Sequence, residues 1–173
     1  MALVIFFRAA NVGGHQVFKP GELAKKLKHL DVVNIGAAGT FVVRGKGAVA
    51  SVKTAVLAEL SFQPEMYIFQ GRDVLELANS KPFEKPPPGD DITRYVTILQ
   101  KAPRTPVSLP LELPVDGPWE VKFFAMSGPF LLSYQRPGKK KLYPNAVAEK
   151  QVGVPATTRN WNTIVAIGKI LEG

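Results

Sequence analysis

Three stretches of this chain hold residues whose types and spacing could do chemistry. Thr157-Thr158-Arg159-Asn160-Trp161-Asn162-Thr163 gathers three hydroxyls, a guanidinium, two amides and one of the two tryptophans into seven positions. A helix opening on such residues would offer free amides, a hydroxyl and a cation to an anion. The same residues also suit a purely structural role, with a threonine capping the helix and Trp161 anchoring it in a core. Arg8-Ala9-Ala10-Asn11-Val12-Gly13-Gly14-His15 follows an apolar run. There Gly13-Gly14 permits a tight turn or close backbone approach to a phosphate, and His15 titrates near neutrality. Arg136-Pro137-Gly138-Lys139-Lys140-Lys141, flanked by Tyr134 and Tyr143, pairs clustered cations with aromatics. Cations of this kind hold phosphates while an aromatic stacks on a base. A solvated loop explains the same run without a ligand.

Other chemistries find less support. Cysteine is absent, which excludes disulfides, thiolate zinc sites and cysteine nucleophiles. His15 and His29 do not fall at metal-ligand spacing, so no metal or cofactor is expected. Asp90-Asp91 sits in a proline-rich stretch, and no nucleophile elbow or histidine–acid couple is readable, so whether the protein is an enzyme stays open. No glycine fingerprint for a dinucleotide and no phosphate loop occurs. The formal charge is +8 with a pI near 9.8, which favours an anionic partner such as nucleic acid. Apolar residues make up 46% and charged residues 21%, enough for a packed core. No apolar run is long enough to span a bilayer and the first residues lack signal-peptide features, so no membrane association and a cytoplasmic address are expected. Nothing in the sequence speaks to oligomeric state.

The elements that must position these residues are legible in outline. Leu3 to Phe7 is a continuous apolar run, expected as a central strand buried on both faces. Pro20 opens a helix with Leu23, Leu27 and Leu30 inward. Strands follow at Val32–Ile35 and Thr40–Arg44, then a helix capped by Ser51 and a strand at Met66–Phe69. The order is βαββαβ, the ferredoxin-like split unit. Gly71–Asn79 reads as a short helix, and Ser80 to Asp91, with Pro82 and Pro86-Pro87-Pro88, as a linker or loop. The second half starts with a strand at Tyr95–Leu99. Prolines at 103, 106, 110, 114 and 118 forbid a helix there and confine any strand to an edge. Trp119–Phe124 alternates, with Trp119, Val121 and Phe123 inward against Glu120, Lys122 and Phe124. A turn at Gly128-Pro129 leads into Phe130–Tyr134. Pro144 starts a helix ending at Gly153, and a last helix, capped by Thr157 or Thr158, buries Trp161, Ile164, Val165, Gly168 and Leu171. The expected organisation is α+β, with a ferredoxin-like subdomain over 1–79, a proline-rich linker over 80–93 and a second α+β subdomain over 94–173.

These residues also carry a family resemblance. Pro144-Asn145-Ala146, Glu149-Lys150, Gly153-Val154 and Thr157 to Thr163 resemble the domain-of-unknown-function 1697 family of bacterial proteins. So does Arg8 followed by Asn11, Val12, Gly13 and Gly14, where that family reads R-G-I-N-V-G-G. Ala38-Gly39-Thr40-Phe41-Val42-Val43 is similar to its S-G-N-V-V-F. Ala9-Ala10 departs from the usual Gly-Ile, Thr40 replaces an asparagine, and Lys81-Pro82-Phe83 lacks the asparagine of N-P-F. The resemblance implies two ferredoxin-like α+β subdomains and no particular activity. Two functional expectations follow from the residues. One is binding of phosphate-bearing ligands, nucleic acid above all, through Arg136, Lys139, Lys140 and Lys141. The other is a small-molecule-binding protein or enzyme with a site between the subdomains, built from Arg8, Asn11, Gly13, Gly14, Thr158, Arg159 and Asn160.

Overall fold

The computed structural model describes residues 1–8, 17–89 and 91–173. Asn11, Gly13, Gly14 and His15, together with Asp90, lie outside the described residues. Contacts within the chain divide it into two compact units, Met1–Ser80 with Thr163–Gly173, and Lys81–Asn162.

In the first unit, β1 (Leu3–Arg8) has Leu3 through Phe7 all buried, as five consecutive apolar side chains require of an inner strand. Each such burial is worth about 1.5–3 kcal/mol. Helix α1 (Pro20–Lys26) starts on the proline, whose fixed φ and missing N–H suit a first helical turn. Strands β2 (Val32–Ile35) and β3 (Thr40–Val43), helix α2 (Val49–Ala58), strand β4 (Glu65–Gln70) and helix α3 (Gly71–Asn79) complete the series. The sheet order is β2-β3-β1-β4 with every neighbour antiparallel, the ferredoxin-like arrangement. Leu3, Ile5 and Phe7 pack with Leu23 of α1, with Leu27 at its end, and with Val52 and Val56 of α2. At Gly39, φ is +86° and an added Cβ would lie 2.6 Å from the Phe7 Cβ, so glycine is required twice over. Ser51 does not cap α2. It lies in the first turn and its hydroxyl donates back to the Ala48 carbonyl, while Ala48 holds the cap position.

The second unit is built on strands β5 (Thr93–Leu99), β6 (Leu111–Leu113), β7 (Val121–Ser127), β8 (Phe130–Gln135) and β9 (Ala156–Asn160). Their order is β6-β7-β8-β5-β9, again antiparallel, and helix α4 (Pro144–Val152) packs on β5 and β9. The segment 102–118, with its five prolines, contributes only β6, a three-residue strand at the sheet edge, where missing donors do least harm. The β7–β8 hairpin turns at Gly128, whose φ of +56° suits glycine.

A further expectation needs correction. Thr157 and Thr158 do not cap the last helix; they lie in β9, paired with Ile98 and Thr97 of β5. Helix α5 (Trp161–Glu172) begins later, and the Asn160 side chain accepts the Asn162 N–H at 2.9 Å, so Asn160 acts as the cap. Two adjacent β-branched residues favour the extended chain, and the asparagine takes over the capping oxygen. Thr163–Gly173 belongs to the first unit, where Gly168 lies close to Ala78 of α3 and Gly71 close to Leu171. Phe83, in the proline-rich stretch, is buried in the second unit. It makes ring contacts with Phe124, Tyr134 and Trp161 at 5.0–5.4 Å, which anchor that stretch.

Candidate functional site: the basic loop of the second unit

The loop after β8 is organised by a residue that the alternation rule places on the wet side. Glu120 is only 4% exposed. Its carboxylate accepts the backbone N–H of Lys140 at 3.2 Å and of Leu142 at 3.1 Å, drawing the loop around a buried negative charge. Its own backbone joins in, donating to the Leu113 carbonyl and accepting the Arg136 N–H. Gly138 is fitted to the same side chain: a Cβ there would lie 2.2 Å from the Glu120 Cγ and Cδ. Burying a carboxylate demands such partners, because an uncompensated charge costs several kcal/mol. Sequence gives no direct signal for this role of Glu120. The one indirect hint is a glycine inside a lysine-rich run.

The four cations of the loop divide into two pairs. Arg136 lies 3.9 Å above the Trp119 ring and its Nε donates to the Trp119 carbonyl at 2.6 Å, so its charge is spent on the fold. The Lys140 ammonium sits 3.2 Å from Asp116. The hydrogen bond from Lys140 holds the Asp116 carboxyl below the usual 3.8, helped by a backbone hydrogen bond and the lysine's charge. Lys139 and Lys141 are exposed and form no ion pair among the described residues. Lys141 adopts the left-handed region at φ 51°. It borders a cleft of about 430 Å³ together with Asp91, Thr93, Arg136, Gly138 and Tyr143. Tyr143 is 65% exposed, the large aromatic most open to solvent among the described residues. The other flanking tyrosine, Tyr134, is buried and stacked on Phe124 at 4.7 Å, and desolvation raises its pKa. It is not available to a ligand.

The other predicted ligand residues are held as follows. Arg8 ends β1 in the first unit and its guanidinium meets Glu65 at 3.4 Å. Thr158 sits in a polar chain of the second unit. Its hydroxyl is 2.9 Å from the Thr97 hydroxyl and donates to the Asn145 side-chain oxygen at 2.8 Å. Glu149 accepts from the Asn145 amide and from the Ala156 N–H, closing the chain from α4 onto β9. Arg159 is 6% exposed and donates to the Thr157 hydroxyl at 2.6 Å and the Thr158 carbonyl at 3.0 Å. Desolvation pulls its pKa down to about 10, which leaves it charged at neutrality. Asn160 serves α5. Thr158, Arg159 and Asn160 are therefore neighbours on one strand, each bonded within the second unit. Among the described residues no group of His, Cys, Asp or Glu is placed to hold a metal, and no helix is long and apolar enough to cross a membrane.

These features define a two-unit α+β protein whose first unit is ferredoxin-like. The chain belongs to the family described as Protein of unknown function (DUF1697), which it matches over residues 1–123. The match ends within β7, so the basic loop and the Thr157–Thr163 segment lie beyond it. Among solved structures the chain is similar to a conserved bacterial protein from Streptococcus pneumoniae. The TM-score is 0.62 at 15% identity, with 98% of each chain covered, a likeness of fold that extends past the family match to the C-terminus. A search of curated proteins finds no match.

Proposed function

We propose that the protein binds phosphate-bearing ligands, single-stranded nucleic acid first among them, through Lys139, Lys141 and Tyr143. The observation that carries this reading is the clamp of the loop on Glu120. It holds Arg136 and Lys140 internally and leaves Lys139 and Lys141 exposed, Lys141 bordering a cleft together with the open aromatic Tyr143. Two cations and a stacking ring suit a flexible strand, whose phosphates and bases reach both kinds of group at once. A duplex-reading surface would need a longer row of charges. The first sheet does not offer the alternative of stacking aromatics on an open face, since Phe41 is 2% exposed and lies in the core beside α1 and α2.

The test is the affinity for a short fluorescent single strand across a salt series. Two phosphate contacts give a log–log slope of about −1.4, taking roughly −0.7 per phosphate for single strands. Lys139→Ala with Lys141→Ala flattens the slope, and Tyr143→Ala weakens binding at every salt concentration. Arg136→Gln changes the slope less than loss of the two lysines, because its guanidinium is held against Trp119. A wild type that shows no salt-dependent binding ends the proposal.

A further inference from the structure

A second cleft, of about 590 Å³, lies elsewhere in the second unit, between the segment after β5 and the end of α4. That volume falls in the range of small-ligand sites, roughly 300–1,000 Å³. Its walls carry opposite electrical character. On one side stand Lys101 and Arg104, with the hydroxyls of Thr105 and Ser108. All four are exposed, and neither cation forms an ion pair or side-chain hydrogen bond among the described residues. On the other side is the last turn of α4, Gln151 and Val152, stopped by Gly153 at φ 73°. The Gly153 N–H reaches back to the Glu149 carbonyl, and the carbonyls that follow are those a helix leaves without intrahelical donors. Together they present the negative end of the helix dipole, partly offset by Lys150 in the last turn.

We propose that this cleft binds a small zwitterion of the amino-acid or short-peptide type, recognised by its two charged ends. The carboxylate faces Arg104 and Lys101, where a guanidinium supplies paired donors. The ammonium faces the carbonyl end of α4. A simple anion meets the unfavourable end of the helix dipole and a simple cation meets two positive side chains, so a ligand carrying both charges is the one each wall favours. Thr105 and Ser108 add hydroxyls that donate or accept along a peptide backbone. The site shares no lining residue with the basic loop and does not depend on the function proposed for it.

The experiment is an amide-resolved NMR titration of the full chain with alanyl-alanine, with free alanine, and with the dipeptide blocked at either end, each at millimolar concentration. Alanyl-alanine is expected to move the amides of Lys101 to Ser108 and of Gln151 to Val154. Acetylating its amine or amidating its carboxyl weakens binding about tenfold each, the loss of one charge-assisted contact. Arg104→Gln, an exposed substitution that leaves the fold intact, narrows the preference for the dipeptide over its C-terminal amide to what Lys101 alone supplies. If alanine moves the same amides as strongly as the dipeptide, the ligand is the free amino acid. If neither moves them, or if the blocked dipeptides bind as well as the free one, the proposal fails.

Discussion

Gly138→Ala is the most informative substitution in this protein, because its whole expected cost is assigned to one neighbour. The three heavy atoms nearest the added Cβ all belong to Glu120, at 2.2, 2.2 and 2.7 Å. The glycine's φ lies outside the left-handed region, so alanine suffers no backbone penalty there. The carboxylate must move, and in moving it releases the Lys140 and Leu142 amides. Hydrogen bonds to a charged acceptor are worth roughly 1.5–3 kcal/mol each, and water reaches this loop once it opens, so the expected loss is about 2–4 kcal/mol. For a chain of this size that corresponds to roughly 5–15 °C in melting temperature. The assay is a double-mutant cycle by denaturant unfolding with Glu120→Ala. Removing Glu120 costs a similar amount alone, and adding Gly138→Ala on that background costs under about 0.5 kcal/mol, since nothing is left to strike. Additive costs would refute the reasoning, for they would mean that Gly138 is required for something other than its fit to the buried carboxylate.

Three further outcomes follow from the same structure. The Asp116 carboxyl should titrate below 3.8 by NMR and move up in Lys140→Ala, stopping short of 3.8 because its backbone hydrogen bond still lowers it. Because the folded pKa is the lowered one, its contribution to stability is present above 3.8 and is lost as pH falls through the folded value. Thr158→Val removes the hydroxyl shared by Thr97 and Asn145 and should cost about 1–3 kcal/mol in denaturant unfolding, while Thr158→Ser retains most of that stability. Gly168→Val should destabilise by about 1–3 kcal/mol, because a Cβ at 168 already stands 3.0 Å from the Ala78 Cβ and larger groups must part α3 from α5. A cost near zero in the same unfolding assay would show that the two helices separate freely.

The ferredoxin-like order of the first unit was legible because each element there announces itself locally. An all-apolar run marks β1, Pro20 marks a helix start, and paired glycines mark the β2–β3 turn. Local rules also confined β6 to an edge and placed α3 and α4 to within a residue. The composition of the loop from Arg136 to Lys141 was equally plain. Its electrostatics were not, since which lysine is paired depends on Trp119, Asp116 and Glu120, which reach the loop only through the sheet pairing of β6, β7 and β8. The Thr157–Thr163 segment shows the same division. Its residue types suit a cap or a strand equally, and pairing with β5 decided for the strand by supplying backbone partners from residues about 60 positions away. Local propensity, turn chemistry and total charge are written in the sequence. Which charge is neutralised, and which polar side chain is buried, is decided by neighbours that only the tertiary fold brings within hydrogen-bond reach.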